Sequence, residues 1–465
     1  WTGDNGAMIY AYGGDFNPYD ASDVNFCDNG LMSPDRKPNP HAYEVRRIYQ
    51  DIHSSLSEDG GVEIYNEFSF RSLDAFRLEW TLLCDGRPVK SGTVEDLPAT
   101  APGGRSEVKL PLTGFDGGHE WLLNLGYCLK DAEGLLDAGW CVAREQLSLS
   151  APAAQDVSLE NRIGANSSPA LPLIADGERN CLSVIGEDFR IDFSRSSGLI
   201  CRYEKGGLSF LDEGAELKPN FWRAPTDNDF GAFLQLKYRV WKNPTMKLKE
   251  LEGTVENGLA KVKTLMELPE VHATLELRYT INNEGAVLVE QRMTADKSRS
   301  DVPNMFRFGM VMPMPEEFSE IEYYGRGPME NYADRKSCAD LGIYRQSVDE
   351  QFYPYIRPQE TGTKSDVRWW RVFNAEGSGL EITSGLPFSA SALHFTIDAL
   401  DEGVSKSQGH SPEVPESGLT NLCIDLVQAG LGCEDSWGRI ARPEYQVRYG
   451  DYGFRFMITP VSRVY

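Results

Sequence analysis

Between Arg77 and Gly86 the run RLEWTLLCDG places Leu78, Trp80, Leu82 and Cys84 on one side and Arg77, Glu79 and Thr81 on the other. That period of two belongs to a half-buried strand, and Asp85-Gly86 then marks a turn. EWLLNLGYCLKD repeats the pattern with Trp121, Leu123, Leu125 and Tyr127, and WCVAREQLSL supplies a further strand before Pro152. Short alternating strands over residues 56–150 predict a small immunoglobulin-like β-sandwich. After a stretch rich in Ala, Ser and Pro over 151–180, which reads as a linker, strands resume. FRIDFSRSSGLICRYEKGG predicts a hairpin, ATLELRYTI and AVLVEQRMTA alternate, and QVRYGDYGFRFMITPV closes the chain. Residues 181–465 therefore predict a large β-sandwich with few helices, and the fold class is mainly β.

One helix stands apart. In NPHAYEVRRIYQDI, Asn39 can cap, Pro40 suits the first helical position, and Ala42, Val45, Ile48, Tyr49 and Ile52 form an apolar stripe expected to pack on a core. Ahead of it the Gly-, Asp- and Asn-rich residues 1–39 predict loops, too short to fold alone.

Composition narrows the function classes. The 465 residues suffice for two or three domains, and no apolar run approaches the roughly 18 residues that cross a bilayer as a helix. A formal net charge of −24 disfavours nucleic acid and anionic membranes as partners and leaves neutral substrates such as sugars open. Nine cysteines without a CxxC pair predict buried free thiols rather than a disulfide framework or zinc site. None of the six histidines stands at metal-ligand spacing from another. The chain opens on Trp1 without a methionine or a leader, so a fragment or processed product is expected. The cytoplasm is the favoured compartment, with the periplasm or secretion implied should a signal peptide precede Trp1.

Three polar stretches carry candidate chemistry. LGCEDSWGR, residues 431–439, sets Glu434 beside Asp435 and near Trp437. Hydrolysis of a glycoside needs two carboxyls facing one bond, about 5–5.5 Å apart for retention or roughly 6.5–9.5 Å for inversion. Neighbouring residues on an extended chain point apart, so turn formation is the favoured role of the two acids. Trp437, in contrast, offers a flat ring of the kind on which a pyranose stacks, with a partly buried loop tryptophan as the competing reading. In FWRAPTDNDFG, Arg223 with Asp227 and Asp229, and in YYGRGPMENYADRK, Arg326 with Glu330 and Asp334, could bind sugar hydroxyls or fix the loops internally; the second role is favoured. NFCDNG, residues 25–30, could present oxygens to a hard cation or form an ordinary Asn-Gly turn.

Several blocks in one order, AYGGDF, NFCDNGLMSPDRKPNPHAYEVRRIYQ, RAPTDND, GRGPMENYADR, YPYIRPQETGT and EDSW, resemble the C-terminal part of lac-type β-galactosidases of glycoside hydrolase family 2. The resemblance runs from about Tyr10 to the end. It implies that residues 1–55 are the tail of a catalytic (β/α)8 barrel, with the Pro40 helix as its last helix, followed by the small sandwich and a large galactose-mutarotase-like sandwich. It implies a retaining hydrolysis of terminal β-D-galactosyl groups by the whole enzyme, through a galactosyl-enzyme intermediate. The family's two glutamates and its magnesium ligands precede the matched region, so no residue here inherits a catalytic role, and the chain alone is expected to be inactive.

Carried over residue by residue, the resemblance assigns the Phe26 carbonyl and the Asn29 side chain to a monovalent cation, sodium, with the remaining protein ligand elsewhere. It assigns Trp437 to a substrate platform. Two departures stand out: Cys433-Glu434 replaces a Gly-Asp pair before the tryptophan, and Asp28 replaces an apolar residue. Expected partners are a β-galactoside or other glycan, the rest of the enzyme or a large subunit, and further copies of the protein. The rival readings are a carbohydrate-binding or scaffold module without catalysis and an aldose epimerase. The epimerase would need histidine acid-base chemistry from His272, His394 or His410, none of which lies in the polar motifs.

Overall fold

The structure, a computed structural model, describes residues 1–3, 5–112, 115, 117–150, 156–164, 172–177, 180–432, 434–435 and 437–463. Its residues divide into two compact units. One comprises Pro38–Ala154 with Ser337–Ile343, and the other Trp1–Lys37, Gln155–Lys336 and Tyr344–Tyr465.

The smaller unit is a sandwich of two antiparallel sheets. One runs Arg87–Val94, Phe76–Cys84, Trp121–Leu129, Cys141–Ser148, and the other Ile52–Leu56, Val62–Asn66, Arg105–Val108. The expected alternation is what fills the space between them: Leu78, Trp80, Leu82, Leu123, Leu125 and Tyr127 share one buried cluster with Ile52, Val62 and Ile64. Asp85 and Gly86, both at positive φ (48° and 76°), close the hairpin between Phe76–Cys84 and Arg87–Val94. Two positive-φ residues match the right-handed twist of the flanking strands.

Two expectations fail in this unit. Cys128 and Cys141, opposite each other on neighbouring strands, are joined in a disulfide, so the thiols are not all free. Nothing in the linear spacing marks the pair, because their adjacency comes from strand register. The helix does form, over Pro40–Ile48, but Asn39 makes no side-chain cap bond and the buried side is the polar one. Glu44 is buried and accepts from the backbone N–H groups of Ser337 and Cys338 (3.0 and 2.9 Å), while Arg47 meets Glu145 (3.2 Å) and Gln50 donates to Glu145 (2.6 Å). Of the predicted apolar stripe, Ile52 is buried in the sandwich core as expected, whereas Ile48 and Tyr49 are 61% and 79% exposed. Satisfying two backbone donors with one carboxylate outweighs the modest apolar area of that stripe.

In the larger unit, twelve strands among the described residues form an antiparallel sheet. Its central order is Arg307–Pro315, Leu419–Gln428, Ser378–Leu393, Tyr452–Ser462, Val287–Ala295, Ala273–Ile281, Leu259–Leu268 and Lys247–Glu256. A second sheet of five strands holds the predicted hairpin, Phe189–Ser194 with Ile200–Lys205. One continuous core lies within this unit, drawing Leu182, Val184, Ile191 and Phe193 from the five-stranded sheet and Leu275, Met310, Met312 and Ile424 from the larger one. Within the stretch read as a linker, Asp156–Gly164 is a helix and Leu173–Gly177 a strand; the helix buries Leu159 and Ile163 against Leu288 and Met457. The rest of that stretch, 151–155, 165–171 and 178–179, lies outside the described residues.

Candidate functional site

The loop that follows strand Leu419–Gln428 carries Trp437 with 80% of its surface exposed. Asp435 accepts from the backbone N–H groups of Trp437 (2.8 Å) and Arg439 (3.1 Å), and these bonds hold its carboxyl below the usual range. Glu434 turns to Arg442 instead (3.3 Å). With separate partners, the adjacent acids shape a turn and do not face a common bond. Cys433 and Ser436 lie outside the described residues.

What fixes this loop is its base. Arg223, fully buried, donates to the carbonyls of Ala429 (2.7 Å) and Gly430 (3.1 Å) and forms a two-pronged pair with Asp229 (3.0 and 2.8 Å). Asp334 accepts from the N–H groups of Leu431 and Gly432, each at 2.9 Å, and the Asn228 amide donates to the Gly432 carbonyl. The loop RAPTDND is held in turn by a capping box, Thr226 Oγ1 accepting from Asp229 N–H (3.2 Å) and Asp229 from Thr226 N–H (2.9 Å). Of the arginine groupings posed from sequence, Arg223 pairs with Asp229 and not with Asp227. Arg326 pairs with Asp366 (2.5 Å), and Glu330 is enclosed by Arg335, Tyr355, Thr361 and the Gly362 N–H. Both polar motifs fix loops internally at these positions.

On the N-terminal segment, Val24–Asp28 makes one 3-10 turn, and the Phe26 carbonyl accepts from the Asn29 N–H at 3.2 Å. A carbonyl has a second lone pair, and Asn29 is exposed, so two hard oxygen donors are offered from adjacent positions. Asp28 Oδ2 is buried with no hydrogen-bond partner among the described residues, and burial raises its carboxyl. Two adjacent oxygen donors fit a hard monovalent cation in kind, although two protein ligands are fewer than such an ion takes.

These pieces meet. Trp437, Phe26 and Asn29, more than 400 positions apart at the extremes, line one cleft of about 400 Å³ together with Asn25, Asp227 and Lys406. Asn25 donates to Asp227 Oδ2 (2.9 Å) and Lys406 lies 2.5 Å from Asp227 Oδ1, so both oxygens of that carboxylate are engaged. Phe233, at φ 59° and exposed, adds a second ring to the rim. The cleft thus combines aromatic faces with fixed polar groups, which suits a polyhydroxylated ring compound. Neither Lys406 nor Phe233 was visible as a site residue in the sequence, since DEGVSKSQG and GAFLQLK carry no motif. His394 and His410 do not line this cleft: His394 bonds the Leu419 carbonyl (3.0 Å), and His410 is held between Asp15 and Glu413 (2.9 Å each).

Comparison with known proteins gives three family matches: "Beta galactosidase small chain" over residues 185–458, "Beta-galactosidase, domain 4" over 62–150, and "Glycosyl hydrolases family 2, TIM barrel domain" over 2–54. Among curated relatives, the β-galactosidase of Priestia megaterium is 32% identical over 96% of this chain, and that of Halalkalibacterium halodurans 28% identical over 95%. The chain spans 42% of the length of each. A solved putative aldose 1-epimerase from Escherichia coli K12 is 12% identical, with the match covering 63% of this chain and all of that one and a TM-score of 0.35.

Proposed function

Because the chain belongs to the β-galactosidase small-chain family, we propose that it forms one part of a retaining enzyme that hydrolyses terminal β-D-galactosides. The observation that carries this reading is the convergence of Trp437, Phe26 and Asn29 on one cleft. In the complete enzyme two carboxyls, one acting as nucleophile and one as acid and base, would form and then hydrolyse a galactosyl-enzyme intermediate. This portion supplies neither of them. Its acids near the cleft are committed elsewhere, Asp435 to backbone N–H groups and Asp227 to Asn25 and Lys406.

Trp437 gives the sugar an apolar face to stack on, at the edge of the cleft where an aglycone or a waiting substrate would rest. Sodium would be held by the Phe26 carbonyl and the Asn29 side chain with a ligand from another part of the enzyme, and would fill charge and position at the cleft wall. The exposed Ile48 and Tyr49 give the Pro40 helix an apolar side for the barrel to cover. Rival modules without catalysis would bind glycan through the same ring but gain no activity from a barrel.

The deciding experiment mixes this chain with the N-terminal remainder of the enzyme and follows hydrolysis of a chromogenic β-galactoside. Activity is expected from the mixture and not from this chain alone. Turnover by this chain in isolation, or none in a folded mixture, would overturn the reading. In the complete enzyme Trp437→Ala should raise KM about tenfold, the loss of a stacking contact of about 1.5 kcal/mol, with the fold intact.

A further inference from the structure

In the smaller sandwich the sheet brings a sulfur, a carboxylate and an imidazole to one edge. Cys84 ends strand Phe76–Cys84, Asp85 opens the positive-φ turn after it, and His119 stands just ahead of the neighbouring strand Trp121–Leu129. Antiparallel register makes these ends coincide: Cys84 pairs with Trp121, and Asp85 N–H donates to the Glu120 carbonyl at 2.9 Å. One side-chain ligand atom from each of Cys84, Asp85 and His119 lies within 4.8 Å of those of the other two.

We propose that Cys84, Asp85 and His119 form a transition-metal site, with zinc as the fitting ion and water completing a four-coordinate shell. Tetrahedral bonds of about 2.0 Å to nitrogen and oxygen and 2.3 Å to sulfur set ligand atoms roughly 3.3–3.8 Å apart. The Cys84 sulfur, within 4.8 Å of a ligand atom on each partner, closes by about an ångström at most, while Asp85 Oδ2 and His119 Nδ1, 2.5 Å apart, open by a similar amount, which partly exposed rotamers can do. Asp85 is already positioned, with Oδ1 accepting from the Glu120 N–H (2.9 Å) and Oδ2 meeting His119 Nδ1 (2.5 Å). The aspartate and histidine side chains are about half exposed, so a hydrated ion can reach them. The donor set selects the ion: a thiolate with an imidazole suits zinc and discriminates against magnesium and calcium, which prefer oxygen alone. A chain of net charge −24 also concentrates divalent cations around itself. On binding, the Cys84 thiol gives its proton to solvent as the sulfur–metal bond forms, and the ion ties the hairpin turn to the start of the adjacent strand.

The test uses the whole chain, stripped of metal with chelator. Cobalt(II), as a zinc surrogate, should give a thiolate-to-cobalt charge-transfer band that saturates near one equivalent and is bleached by zinc. Cys84→Ser should abolish the band, and His119→Ala or Asp85→Asn should weaken cobalt binding by roughly tenfold or more. A measurement on the unmutated chain stands beside this: one equivalent of zinc should slow iodoacetamide alkylation of Cys84 about tenfold, read by peptide mass mapping, and leave the exposed Cys27 unchanged. Absence of a band, a band that survives Cys84→Ser, or alkylation of Cys84 that ignores zinc would each reduce the cluster to a surface His–Asp ion pair and overturn the proposal.

Discussion

The amide of Asn25 donates to the carboxylate of Asp227 across 2.9 Å, joining the N-terminal segment to a loop 202 positions away. Asn25 is buried, and its acceptor also holds Lys406. Hydrogen bonds to a charged group contribute about 1.5–3 kcal/mol. Asn25→Ala should therefore lower the stability of the larger unit by about 1–2 kcal/mol and raise the KM of the complete enzyme severalfold, measured by urea unfolding and steady-state kinetics. Unaltered values of both would show that the contact does not hold the cleft wall.

Asp334 should act on substrate through Trp437. It accepts from Leu431 and Gly432 at the base of the loop and does not line the cleft. Asp334→Ala is expected to raise KM in the complete enzyme, and to add little further in a Trp437→Ala background, because both changes remove the same positioned ring. Additive effects in that double-mutant cycle would mean that Asp334 acts by another route.

Of this site, the sequence made the loop legible and left its support out of view. Trp437 stood out by residue type and by the resemblance, and Phe26 and Asn29 by the resemblance alone; their partners carried no such mark. Arg223 reads equally well beside Asp227 or Asp229, and only the capping box at Thr226, which turns Asp229 inward and Asp227 toward Asn25, separates them. The strands were readable for the complementary reason. Ala273–Ile281 and Val287–Ala295 alternate because one face meets the core, a local consequence of burial. The Pro40 helix was misread at its buried face, where Glu44 finds backbone donors from residues 337 and 338, far outside any window along the chain.

The pH dependence of stability should carry the signature of a buried acid. Asp425 is enclosed with Arg307 (3.2 Å), which Glu360 also engages (2.7 Å), and burial pushes its carboxyl up to about 7 despite the guanidinium. Folded, the group keeps a proton that the unfolded chain has released above about pH 4. Unfolding then leaves fewer protons bound, so stability falls as pH rises from about 4 to about 7, with a slope near 1.4 kcal/mol per pH unit from this residue. Asp425→Asn should flatten that slope by about one proton in urea titrations at successive pH values. An unchanged slope would place the proton on another group.

For the Cys128–Cys141 bridge, the expected outcome is a count and a cost. Six described cysteines are free and two are bridged, so reduction in denaturant should raise the number of titratable thiols by two. The bridge closes a loop with a sequence separation of 13, so chain entropy predicts a loss of about 3 kcal/mol in Cys128→Ser/Cys141→Ser. Nine titratable thiols before reduction would show that the pair is not joined.

The loop base has a consequence for how such a protein can change. Arg223, Asn228 and Asp334 grip main-chain atoms of residues 429–432, and main-chain atoms are the same whatever side chain follows. The tip that bears Trp437 is thereby uncoupled from its own anchorage. Aromatic, polar or bulky side chains can stand there in turn without loosening the grip on residues 429–432.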